Sequence, residues 1–248
     1  MCVLKVKNSD LIKFDNTALI KGVSLEINGG DVVLLTGKNG TGKTTLLNAL
    51  VNNYGITGMA YARFVDDFEI GGKMTDTKLY DRVIYVPQND YISFSFCSVY
   101  KALLEACPFP GGEGKNYVNS WLEKYEPFSV EDKKKNILKK RIGKLSGGER
   151  KYVALIQLLL RSDIDGIKLI IMDEPITSLD QNHVRLLSNL LLKIRNSNPQ
   201  IGFLIVSHCH AFPYVTSVIE IKDGTLNKGK YCFGECFGTP NNEGFYLL

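Results

Sequence analysis

Three short segments of this chain carry residue types suited to handling phosphate. The first is Gly37-Lys38-Asn39-Gly40-Thr41-Gly42-Lys43-Thr44-Thr45, with the spacing G-x4-G-K-[ST]. Its glycines let successive backbone N–H groups turn inward around an anion, and a helix opening there would add the positive end of its dipole. Lys43 would reach the β and γ oxygens of a nucleotide, and the Thr44 hydroxyl would hold Mg²⁺. The second segment is Asp173-Glu174-Pro175, directly after Leu169-Ile170-Ile171-Met172. Asp173 is suited to orienting a metal's shell, and Glu174 to polarising a water for in-line attack on a γ-phosphate. The third is Leu145-Ser146-Gly147-Gly148-Glu149. Serine and two glycines at a helix start make a second anion cradle, but one without a lysine of its own. One nucleotide needs one cradle, so the third segment is expected to close over a nucleotide held by another copy.

These segments need elements that bring them together. Four apolar runs, 32–35, 83–86, 169–172 and 203–206, predict buried strands of a parallel sheet covered on both faces. Helical patterns fall at 44–51, 148–160 and 180–194, so strand and helix alternate. The opening stretch, 2–27, alternates more and contains turn residues, which predicts antiparallel strands beside the main sheet. From about 89 to 145 helical stretches at 98–106 and 117–125 replace the strand pattern, joined by Pro108-Phe109-Pro110-Gly111-Gly112. The expected fold class is α/β: a P-loop NTPase core with a mostly parallel sheet, an N-terminal antiparallel β subdomain and an inserted helical subdomain. Within one domain over 1–248, the core takes 1–88 and 161–226, the helical subdomain with the third segment takes 89–160, and 227–248 is a C-terminal tail.

Composition narrows the function classes. With 44% hydrophobic and 23% charged residues among 248, disorder, a collagen-like repeat and a pure coiled coil are excluded. A net charge of +4 is too mild to call for nucleic acid, and no nucleic-acid partner is expected. The basic run at 131–141 (Lys133, Lys134, Lys135, Lys139, Lys140, Arg141) lacks interleaved aromatics and reads as a solvated helix or linker. No apolar run approaches the roughly 18–20 uncharged residues that span a bilayer. The charged opening around Lys5 and Lys7 does not suit a secretion signal, so a cytoplasmic location is expected. The cysteines at 2, 97, 107, 209, 232 and 236 read as free thiols, because the C-x3-C pair at 232 and 236, with His208 and His210 upstream, lacks the dense C-x2-C pairs of zinc modules.

Taken together, the three segments resemble those of the ATP-binding cassette (ABC) ATPases, whose signature is L-S-G-G-Q or a close variant; here Glu149 takes the fifth place. The resemblance runs from about 11 to 224. It implies that Phe14 stacks on adenine and that Gln88, in Val86-Pro87-Gln88, touches Mg²⁺ and the attacking water while joining the core to the helical subdomain. Thr177-Ser178-Leu179-Asp180 is similar to the family's dimer-contact loop, with Asp180 retained, and His208 matches the histidine that bonds the γ-phosphate and positions Glu174. His183 and His210 are left as ordinary residues. The departures are Ile176 where Thr is usual, extra residues at 161–166, and altered stretches at 139–144 and 156–159.

The resemblance further implies ATP and Mg²⁺ as ligands, with Thr44, Gln88 and Asp173 serving the metal. Two ATPase subunits, identical or paired, would sandwich two ATP head to tail. One would supply Phe14, Gly37 to Thr45, Gln88, Asp173, Glu174 and His208; the other would supply Ser146, Gly147, Gly148, Glu149 and Asp180. A transmembrane permease docked near Gln88 would hold the chain peripherally on the cytoplasmic face of a membrane. The alternative is an ABC ATPase serving as an assembly scaffold. Chromosome-type relatives are excluded because the stretch from Lys43 to Ser146 is too short for their long coiled coils, and translation-factor types because this chain carries one cassette.

Overall fold

The computed structural model describes residues 1–13, 15–52, 62–66, 68–74, 81–88, 96–208 and 211–230. The opening strands β1 (Cys2–Lys13) and β2 (Ala18–Asn28) pair antiparallel, as their alternation predicts. In β2 the buried positions Val23, Leu25 and Ile27 recur every second residue, the period of a strand with one face on a core. Three short strands, β4 (Ala62–Phe64), β5 (Glu69–Ile70) and β6 (Lys73–Met74), complete this first sheet. Its order is β2-β1-β5-β6, with β4 also on β1.

The second sheet contains β3 (Val32–Gly37), β7 (Val83–Val86), β8 (Leu169–Asp173), β9 (Gly202–Val206), β10 (Ser217–Lys222) and β11 (Thr225–Lys228) in the order β11-β10-β3-β9-β8-β7. All neighbours are parallel except β10 and β11. Every residue of β8 and β9 is buried, which is why both read as unbroken apolar runs. On one face, α1 (Lys43–Asn52) buries Leu46, Leu47 and Leu50 with Leu35, Leu204 and the first sheet. The other face, through Leu34, Met172 and Ile205, shares a core with α2 (Val99–Ala106), α3 (Gly111–Tyr125), α5 (Gly147–Leu159) and α6 (Gln181–Ser197).

Several boundaries differ from the sequence expectation. Helix α3 starts at Gly111, not near 117: Pro110 is its N-cap, and the two glycines form its first turn. Gly114 explains the tight entry, because a Cβ there would collide with the Phe109 carbonyl. The charged run contains the short α4 (Val130–Lys134), capped by Ser129, and much of its charge is paired locally: Lys133 with Glu126 at 3.4 Å, Lys135 with Glu131 at 2.5 Å, and Lys140 with Glu149 at 3.8 Å. Strand β11 takes Asn227 and Lys228 into the main sheet. Among the extra residues at 161–166, Asp163 accepts from Lys124 Nζ (2.9 Å), the Tyr125 hydroxyl and Asn198 Nδ2 (3.0 Å), tying α3 to the end of α6. Phe14, Cys209, His210, Cys232 and Cys236 lie outside the described residues, as does the stretch 231–248.

Candidate active site

Strands β3, β8 and β9 are parallel neighbours, so their C-terminal ends deliver residues to one edge of the sheet. Strand β3 ends at Gly37 and α1 begins at Lys43; the loop between them needs glycine at both ends of its turn. Gly37 has φ 144°, and a Cβ there would lie 2.8 Å from the Ile221 carbonyl oxygen. Gly42 has φ 99° and sits against Leu19, 3.2 Å from where a Cβ would be. The Lys43 side chain is buried and donates to the carbonyls of Gly37 (2.8 Å) and Lys38 (3.0 Å), which holds its ammonium within the loop at the helix N-terminus.

In front of this loop lies a cavity of about 690 Å³, within the size range of ligand sites. The loop contributes Asn39, Gly40, Gly42, Lys43, Thr44 and Thr45; the strand ends and their loops add Gln88, Asp173, Glu174 and His208. Gly37, Lys38 and Thr41 belong to the loop but do not line the cavity. Asp173, the last residue of β8, is fully buried, and neither carboxylate oxygen has a hydrogen-bond partner among the described residues. Burial pushes its carboxyl above the ordinary value; the Thr44 hydroxyl pulls it down, the Glu174 charge pushes it up and the Lys43 ammonium pulls it down. Glu174 takes the left-handed φ of 48° at the strand end, anchored by its N–H to the Val206 carbonyl at 3.0 Å. Its Oε1 lies 3.2 Å from His208 Nε2, and its Oε2 is 3.4 Å from the Thr177 hydroxyl. These groups can receive a polyphosphate, hold a hard cation by oxygen atoms, and orient a water beside a carboxylate.

The third segment lies elsewhere. Ser146 caps α5 in a reciprocal box: its hydroxyl accepts from the Glu149 N–H at 3.1 Å, and the Glu149 carboxylate accepts from the Ser146 N–H at 2.7 Å. None of Ser146, Gly147, Gly148, Glu149 or Asp180 lines the cavity. Asp180 caps α6, accepting from the His183 N–H at 2.9 Å, and its other oxygen meets His183 Nδ1 at 2.7 Å. That backbone bond, with the His183 ring adding to it, holds the Asp180 carboxyl below its ordinary value.

Sequence reasoning passed over some of the surroundings. Lys13 and Leu19 line the cavity; their sequence signal is that they belong to the segments 11–14 and 19–27 that resemble the opening of an ABC ATPase. His183 braces Asp180, a role that D-x-x-H spacing at a helix start could have shown. Lys151 of α5 reaches the carbonyls of Glu174 and Thr177, a contact between distant segments that spacing alone does not reveal.

A family model described as "ABC transporter" matches residues 20–177. The chain belongs to the ABC transporter family. The lipoprotein-releasing system ATP-binding protein LolD of Leptospira interrogans serogroup Icterohaemorrhagiae serovar Lai (strain 56601) is 30% identical over 224 residues, covering 88% of this chain and 89% of the relative. The putative hemin import ATP-binding protein HrtA of Staphylococcus aureus (strain MRSA252) is 26% identical over 211 residues, 85% of this chain and 91% of its own length. In fold, the chain superposes on MJ1267, an ATP-binding cassette of an ABC transporter, with a TM-score of 0.67 at 23% identity, over 93% of this chain and 92% of the other. As an ABC subunit the protein binds and hydrolyses ATP to power a transporter. No helix among the described residues is long and apolar enough to cross a membrane. The ABC departure at Ile176 is a packing change, since that side chain is buried in the core shared by the sheet and helices.

Proposed function

We propose that two copies of this ABC subunit, or this chain and a paired ATPase subunit, close head to tail around two ATP and drive a transmembrane permease. One observation supports this above others: a single chain holds a complete phosphate cradle with its carboxylates in one cavity, while its signature cradle lies outside that cavity. In each site one copy supplies Gly37 to Thr45, Gln88, Asp173, Glu174 and His208, and the other supplies Ser146 to Glu149 and Asp180. Phe14, beyond the described residues, would stack on adenine near the cavity-lining Lys13 and Leu19.

Lys43 exchanges its loop carbonyls for β and γ oxygens, and the α1 dipole favours the same anion. The fully buried, unpartnered Asp173 oxygens beside the Thr44 hydroxyl suit a hard cation with oxygen ligands, and with Gln88 these residues would hold Mg²⁺. When bound, Mg²⁺ supplies charge neutralisation at the β and γ oxygens. Glu174 accepts a proton from the attacking water, and His208, with Nε2 3.2 Å from Oε1, stands where it would orient that carboxylate. The permease would dock beside Gln88 and the helical lobe, leaving the chain peripheral on the cytoplasmic face. No observation favours the assembly-scaffold alternative.

Glu174→Gln tests this reading. Turnover should fall by at least about a hundredfold, while ATP still binds and an ATP-dependent dimer accumulates on size exclusion. Undiminished hydrolysis would remove Glu174 as the base, and an ATP-loaded monomer would remove the sandwich.

A further inference from the structure

Lys151 lies on α5 shortly after the Ser146 cap, and its side chain is half-buried. Its Nζ donates to the Thr177 carbonyl at 2.5 Å and to the Glu174 carbonyl at 3.4 Å. An ammonium has three donors and no acceptor, so it can hold two carbonyls at once and cannot be replaced by a neutral apolar stem. The loop it clasps is unusually constrained. Glu174 and Ser178 both take left-handed conformations, φ 48° and 67°, which non-glycine residues keep only when surroundings over-determine them. Short turns brace the loop internally, Thr177 N–H to Glu174 carbonyl at 3.2 Å and Leu179 N–H to Ile176 carbonyl at 3.1 Å. A second contact lies at the helix start, where a Cβ on Gly148 would come within 3.4 Å of the Ser178 carbonyl oxygen. Helix α5 therefore meets the 174–180 loop at its N-terminus and again through Lys151.

We propose that Lys151 is a positioning residue that couples the two ATP sites, linking the helix that reads the partner copy's nucleotide to the carboxylate that acts on the chain's own. The inference rests on the shared-site reading above. When Ser146 and the glycines engage a γ-phosphate, any shift of α5 acts through the ammonium on the main chain of Glu174. The left-handed strand end turns a small main-chain movement into a change in where the carboxylate lies relative to His208. Lys151 touches no substrate; it sets the geometry of a group that does.

Steady-state hydrolysis against ATP concentration tests this on the purified full chain as wild type, Lys151→Met, Lys151→Arg and Glu174→Gln. Methionine keeps the aliphatic stem and removes the donors; arginine restores donors. Lys151→Met should lower kcat by about ten- to a hundredfold, leave KM within about twofold, and bring a Hill coefficient above about 1 in the wild type down to about 1. Lys151→Arg should recover most of both, with melting temperature and monomer ATP affinity unchanged in either variant. A wild-type rate in Lys151→Met, a rate loss with the Hill coefficient unchanged, or a non-cooperative wild type each overturns the coupling. Equal losses in Met and Arg with a lower melting temperature make Lys151 a packing residue and also overturn it. Glu174→Gln separates the two levels: if it turns over normally the shared-site reading fails, and if it is inactive while Lys151→Met is wild type only the coupling fails.

Discussion

A poorly satisfied buried polar group costs on the order of 1–3 kcal/mol of folding stability, and Asp173 is fully buried beneath the cavity, where burial and the Glu174 carboxylate work against its charge and the Thr44 hydroxyl and the Lys43 ammonium favour it. Its raised pKa says the same thing: folding favours its neutral form, so its charge at neutral pH works against the nucleotide-free fold. Asp173→Asn should therefore raise the melting temperature of the nucleotide-free protein by about 2–5 °C while abolishing hydrolysis. A melting temperature at or below wild type would show that Asp173 is better solvated than its burial implies. Lys43, Thr44, Asp173 and Glu174 were legible in the sequence because each sits at a fixed step from a strand end, where residue type and position are read together. Lys13, Lys151 and His183 were not, because their roles come from contacts between segments far apart or from bracing another side chain.

At the scale of elements, apolar runs gave the buried strands closely. The run 83–86 is β7 residue for residue, and β8 differs from its run only by adding Asp173. What the pattern could not supply was the start of α3, since glycines at 111 and 112 look like a break until Pro110 is seen to cap them. The signature helix was legible in its serine and glycines, but its capping box was not drawn from the pair Ser146 and Glu149. That box predicts how the element responds to change. Ser146→Arg removes the cap, a loss of about 1 kcal/mol, yet α5 stays anchored through buried Tyr152, Leu155 and Leu159. Because Ser146 is remote from the cavity, the monomer should bind a fluorescent ATP analogue with unchanged affinity while hydrolysis is blocked. Loss of binding by the monomer would contradict a site divided between copies.

For the whole molecule, the proposed role as the ATPase subunit of a transporter assigns the choice of solute to a permease partner. Purification in detergent from its native membrane should bring down a hydrophobic multispanning protein with this chain; recovery with a water-soluble partner alone would favour the scaffold alternative. The main sheet also dictates a timetable. Strand β3, which carries the phosphate loop, lies between β9 and β10, and the Val32 N–H donates to Thr216 Oγ1 at 2.9 Å. At ribosomal speeds of about 5–20 residues per second, β3 is synthesised roughly 10–40 s before the residues that flank it. Through that interval its apolar side chains are open to chaperones, and the cradle at its end has no sheet to hold it. A nascent chain is therefore blind to ATP until β9 and β10 have also emerged, so competence for nucleotide is set by strands made long after the loop that binds it.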